Sequence, residues 1–118
     1  MRTALIAASA ALCCATVVLA ADMTGDEFKA KLVGVEFTWK TTDGKYFGRS
    51  RYSEDGKVFA IESNVPKQKG TVATWRLDGN KVCIVNKAMG GQERCVTYEA
   101  RPDGTFYSSS KTVVTLVK

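Results

Sequence analysis

From Val35 to Val117 the chain alternates short runs of mixed apolar and polar residues with turn signals. Val35, Phe37 and Trp39 alternate with Glu36, Thr38 and Lys40, the period of two of a half-buried strand. Turn signals follow at near-even spacing: Asp43-Gly44, Asp55-Gly56, Pro66 to Gly70, Asp78-Gly79, Gly90-Gly91 and Pro102-Asp103-Gly104. Asp-Gly suits hairpins because its second residue must tolerate positive φ. Such punctuation predicts an antiparallel meander of eight strands: Val35–Lys40, Lys45–Ser53, Lys57–Ser63, Thr71–Leu77, Lys81–Lys87, Glu93–Glu99, Thr105–Ser109 and Thr112–Val117.

Upstream the pattern is helical. Thr24 and Glu27 form a T-x-x-E capping box, Met23 and Phe28 occupy staple positions, and Gly34 is a natural stop. Asp26 and Glu27 complement the positive end of the helix dipole. Phe28 and Leu32, one turn apart, share the core face. So short a helix must pack on something. The last strand, VVTLV, is too apolar for a free edge. Pairing it with Val35–Lys40 closes a mainly β fold: an eight-stranded antiparallel up-and-down barrel, lipocalin- or streptavidin-like, with the N-terminal helix plugging one mouth. A flattened sandwich of the same strands is the alternative.

Hydrophobicity places Val35, Phe37, Trp39, Phe59, Ile61, Ala73, Trp75, Leu77, Val82, Ile84, Val96 and Tyr98 inward. Cys83 and Cys95 then face each other on the outside of their hairpin. The second strand has two registers. Either Tyr46, Gly48, Ser50 and Tyr52 point in, or Phe47, Arg49 and Arg51 do. The first is preferred, because arginines in the lumen would need anionic partners. It leaves Lys40, Lys45, Phe47, Arg49 and Arg51 as a basic, aromatic outer face, the candidate binding face. A plainly solvated strand is the competing reading.

The first twenty residues are read apart from the fold. Arg2, the apolar stretch Ala4 to Leu19 and Val18-Leu19-Ala20 make a signal peptide, cleaved after Ala20, with Ala21 the next choice. The run is short for a membrane anchor. Leu12 before Cys13 does not suit lipidation, so Cys13 and Cys14 leave with the signal. Residues 21–118 are one small domain, at a size where a covalent staple helps. Cys83 and Cys95, in an exported chain and across a hairpin, are expected to form a disulfide. The net charge of +5 weakly favours acidic partners.

The chain has no histidine, which removes the commonest general base and metal ligand. With two cysteines left, a zinc site lacks ligands. Asp43, Asp55, Asp78 and Asp103 are explained by turn chemistry, and Gly90-Gly91 lacks the helix and Lys-Ser or Lys-Thr of a phosphate loop. Trp39, Trp75 and Tyr98 line a cavity or simply fill the barrel; filling is the simpler reading. The Lys45 to Tyr52 stripe resembles single-strand nucleic-acid surfaces, but export argues against that partner.

Gly34, Asp43-Gly44, Tyr52, Asp55-Gly56, Gly70-Thr71, Trp75, Asp78-Gly79, Cys83 and Cys95 resemble the pattern of a domain family of unknown function, small exported proteins common in alphaproteobacteria. Val72-Ala73-Thr74 stand within that family's usual Gly-Thr-Trp. The resemblance covers nearly all of residues 21–118 and implies compartment and fold rather than activity. More distantly the chain is similar to exported protease-inhibitor barrels, which act through an N-terminal segment; that likeness is of architecture. The expected function is therefore a non-enzymatic periplasmic or secreted binding protein. It would be a monomer without cofactor or metal, with no membrane span after signal cleavage, whose partner is a protein or an anionic envelope component. The alternative is an inhibitor of a secreted protease acting through Ala21 to Thr24. An enzyme ranks last, for want of histidine.

Overall fold

A computed structural model describes residues 21–66 and 68–117. The segment read as a signal peptide lies outside the described residues. Helix α1 (Gly25–Leu32) is followed by β1 (Glu36–Thr41), β2 (Phe47–Tyr52), β3 (Lys57–Ser63), β4 (Gly70–Asp78) and β5 (Lys81–Asn86). After a single 3-10 turn come β6 (Glu93–Val96), β7 (Tyr98–Ala100), β8 (Phe106–Ser108) and β9 (Thr112–Leu116). One antiparallel sheet runs β6-β5-β4-β3-β2-β1-β9-β8-β7. Its two ends are consecutive in the chain, so the sheet is a nearly closed up-and-down barrel. β9 lies beside β1, with Phe37 opposite Leu116 and Thr41 opposite Thr112. Nine strands replace the expected eight because the Glu93–Glu99 strand breaks at Thr97. Its first half pairs with β5 and its second with β8.

α1 starts as its residues dictate. Thr24 Oγ1 accepts from Glu27 N at 3.1 Å, and Glu27 Oε1 accepts from Thr24 N at 2.9 Å. That reciprocal hydrogen bond holds the Glu27 carboxyl below its ordinary pKa. At the other end Val33 is already extended, and Gly34, at φ +85°, donates to Tyr52 O at 2.7 Å rather than back into the helix. The helix thus ends by joining β2. Met23, Phe28 and Leu32 are buried. The Phe28 ring sits among Tyr52, Trp75 and Tyr98, with centroids 5.0, 5.6 and 5.6 Å away. Phe37, Val82, Phe106 and Val114 complete the core, so α1 closes one mouth of the barrel. The bare backbone of Gly25 permits this approach, since a Cβ there would lie 2.8 Å from Gly79 O in the β4–β5 turn.

β2 takes the preferred register. Phe37 stands opposite Ser50 and Trp39 opposite Gly48, and Ser50 and Tyr52 are buried. Four inward assignments are corrected. Tyr52 pairs with Val58, which turns Val58 and Ala60 inward and Phe59 outward under Arg51. Ile61 is the extra residue of a bulge, where Arg49 pairs with Glu62 but Ser50 with Ala60. Val35 precedes β1 and is 36% exposed. Tyr46, on the inward list of the same register, is exposed in the β1–β2 turn. Ala73, Trp75, Leu77, Val82, Ile84, Val96 and Tyr98 face the core as expected.

Candidate functional site

In an up-and-down barrel alternate connections gather at alternate ends. The helix end holds residues 21–35 and the connections 53–56, 79–80 and 101–105. There Asp22, Asp26, Glu27, Glu54, Asp55 and Asp103 outnumber Lys29, Lys31 and Arg101. The far rim holds the connections 42–46, 64–69, 87–92 and 109–111. Each brings an exposed lysine: Lys45, Lys69, Lys87 and Lys111. Asp43 is the one acid in these four connections, and it is turned to local use. Its Oδ1 accepts from Thr41 Oγ1 at 2.6 Å and from Lys45 N at 2.9 Å. Those two donors, the hydroxyl first, hold its carboxyl below the ordinary range. Among the described residues none of the four lysines has an ion-pair partner.

The candidate face divides in two. Arg49 Nε lies 3.1 Å from Glu36 Oε2 and 3.8 Å from Glu62 Oε1, close enough for charge attraction though without hydrogen-bond alignment. The Arg51 guanidinium lies 5.3 Å from the Phe59 ring centroid. Both arginines are spent on the sheet's own outer wall. Lys40 and Phe47, directly opposite each other in the β1–β2 ladder, are free of such ties. Lys45 lies 5.4 Å over the Tyr46 ring. These three belong to the far rim.

A cleft of about 1030 Å³ opens there, lined by Trp39, Lys40, Phe47, Gly48, Val113 and Thr115 among others. Gly48 makes room for its wall. A Cβ there would meet Glu62 O at 2.5 Å and Trp39 Cζ2 at 2.9 Å, so glycine lets the indole close over β2. Trp39 Nε1 in turn donates to the buried Ser50 Oγ at 3.1 Å. Asn64 clips the cleft's edge, accepting from Phe47 N at 2.8 Å and donating to Lys45 O at 2.9 Å. Phe47 and Met89 are each 51% exposed and Tyr46 is 38% exposed, all at this end. Lys111 is the one non-glycine among the described residues at positive φ, +63°, and its carbonyl accepts from Thr42 N at 2.9 Å.

Two other groups bring reactive side chains together. Cys83, Cys95 and Glu93 lie close together, but the cysteines are joined in a disulfide and offer no thiolate, while Glu93 takes both guanidinium hydrogen bonds of Arg76 at 2.8 Å. The Tyr52 and Tyr98 hydroxyls share a 2.7 Å hydrogen bond inside the barrel. Burial keeps both neutral, raising the Tyr52 hydroxyl well above its ordinary value and pushing Tyr98 up to about 12. Of the rim's lysines and exposed apolar tips, Lys40 and Phe47 line the cleft, together with the acid Glu62.

Of the candidate face read from the sequence, Lys40, Lys45 and Phe47 stand at the far rim, where the fold also brings Lys69, Lys87, Lys111 and Met89, which no sequence motif marked. The signal lay in the meander itself, because summing charge over every second turn separates the two ends. Fold and site together define a small, disulfide-linked up-and-down β-barrel with one plugged mouth and one basic rim. No family model, curated protein or solved structure matches the chain.

Proposed function

We propose that this protein is a non-enzymatic, exported binding protein that engages an anionic envelope component or protein partner through the far rim of its barrel. The observation that carries this reading is the segregation of charge: on each of four connections at one end a lysine without an ion-pair partner among the described residues, acids in excess at the other. Unpaired like charges gathered at one end repel one another and raise the local potential for an incoming anion. The signal-like N-terminus and the disulfide support export. The inhibitor alternative needs a projecting N-terminal segment. Here Met23 is buried and its amide donates to Tyr98 O at 2.7 Å, while Asp22 bridges Glu99. That segment is part of the barrel wall, which favours the rim.

The test is site-specific photo-crosslinking in envelope extract. Probes at Lys45 and Lys111 are expected to capture a partner, and probes at Asp26 and Lys31 are not. Capture from the helix-end positions alone would overturn the assignment.

A further inference from the structure

Resting on that reading, we propose that the far rim docks end-on against an anionic phospholipid bilayer. Among the described residues Lys45, Lys69, Lys87 and Lys111 sit one on each of the four connections, so the cations form a ring rather than a stripe. Tyr46 and Phe47 lie at the β1–β2 connection and Met89 at the β5–β6 connection. In the sheet order two strands, β3 and β4, separate these hairpins on one side, and β9, β8 and β7 separate them on the other. The apolar tips therefore stand across the mouth from each other.

A protein interface would gather its apolar residues into one central patch, and a soluble polyanion needs cations alone. A flat bilayer touched by the end of a cylinder meets separate points around a circle. Apolar tips entering the boundary of headgroups and acyl chains, flanked by lysines whose stems lie along it and whose ammonium groups meet phosphates, satisfy that geometry. Asp43, held ionised by the donors of its own turn, offsets one of the four lysine charges and leaves the rim net cationic.

The experiment uses the processed protein purified from cells, its N-terminus fixed by intact mass so that residues 1–20 do not contribute. Its partition is measured on vesicles of phosphatidylcholine alone and of phosphatidylcholine with phosphatidylglycerol. Binding is expected on the anionic vesicles alone and falls with added salt. Each of Lys45→Gln, Lys69→Gln, Lys87→Gln and Lys111→Gln should weaken it roughly fivefold. Lys29→Gln with Lys31→Gln, at the helix end, should leave it unchanged. Phe47→Ser with Met89→Ser should weaken it further while the salt slope stays the same, and circular dichroism confirms that the variants are folded. No partition to anionic vesicles overturns the proposal. So does partition insensitive to the rim variants, or capture by dextran sulfate as tight as by vesicles with no effect of Phe47→Ser and Met89→Ser. If vesicles fail while rim cross-links to a protein persist, the binding reading stands and the lipid assignment falls; if both fail, both fall.

Discussion

Gly48→Ala isolates one close approach on which the cleft depends. The added methyl group would sit 2.5 Å from Glu62 O, 2.9 Å from Trp39 Cζ2 and 3.0 Å from Trp39 Cε2. Glu62 O is backbone beside a bulge, and the indole is held by its bond to Ser50 Oγ. Neither moves freely, so β2 and β3 must separate or the indole must leave. Overpacking of this kind costs about 1–3 kcal/mol. Expelling the indole also leaves the buried Ser50 hydroxyl without its donor, adding about 1 kcal/mol. The expected loss is about 2–4 kcal/mol, a large part of the roughly 5–15 kcal/mol of a small domain. Urea unfolding followed by far-UV circular dichroism and tryptophan fluorescence measures it. Gly79→Ala is the comparison: at φ +62° with nothing within 4 Å of its Cβ, it carries conformational strain without a clash, about 1–2 kcal/mol. In a Trp39→Ala background the share due to the indole should vanish, and the share due to the Glu62 carbonyl should remain. If Gly48→Ala matches the parent within a few tenths of a kcal/mol, or costs less than Gly79→Ala, the packing argument for the cleft is refuted.

Phe28→Ala removes the ring that joins α1 to Tyr52, Trp75 and Tyr98; it should cost about 3–5 kcal/mol, read as a shift in urea midpoint. Replacing Cys83 and Cys95 by Ser should cost about 2–4 kcal/mol, and free thiols on unreduced, denatured parent protein would refute the bridge. Tyr98 is pushed from 10.0 to about 12 by burial. Because the neutral form is favoured in the fold, its contribution is complete below pH 10 and is lost as pH rises through about 12. Tyrosinate absorbance and circular dichroism should therefore show a late ionisation step coincident with unfolding, and ionisation of that pair in a folded barrel would contradict their burial. Arg49→Gln with Arg51→Gln should change stability by under about 1 kcal/mol, since both side chains lie on the outer wall and exposed pairs contribute little; a change of several kcal/mol would refute the register.

Elements whose rules are local were legible in the sequence. The Thr24–Glu27 box, the Asp-Gly turns and the Phe37–Trp39 alternation act over a few residues, and each appears where the residues require it. The β3 face was not legible. Its parity depends on Ile61 and Val72, single extra residues at the bulges of β3 and β4, which change the face without changing composition. Thr97 breaks a run, Val96-Thr97-Tyr98, that reads as unbroken strand. The engagement of Arg49 and Arg51 likewise depends on who stands opposite whom: Glu62 and Phe59 reach them through the cross-strand register alone. The basic rim occupies a middle position. No motif marks it, yet once the meander is accepted, counting charges on alternate turns reveals it.

The interruption at Thr97 also sets how the barrel comes apart. The circle is closed by a handover, in which one stretch of chain serves β5 and then β8. At the handover Thr97 N donates to Ser109 Oγ at 3.0 Å and Ser109 N donates to Thr97 O at 2.9 Å. The β7–β8 ladder beyond pairs three residues on each side, whereas the disulfide locks β5 to β6 just before the break. Opening is therefore expected as a seam at β8, whose ladders to β7 and β9 pair three residues each, while the covalently held flank stays intact. Amide exchange should be fastest at Glu99 and Tyr107 within the sheet. That seam is also where a closed barrel regains an edge, and hence the route by which two copies could join strand to strand under conditions that leave the rest of each molecule folded.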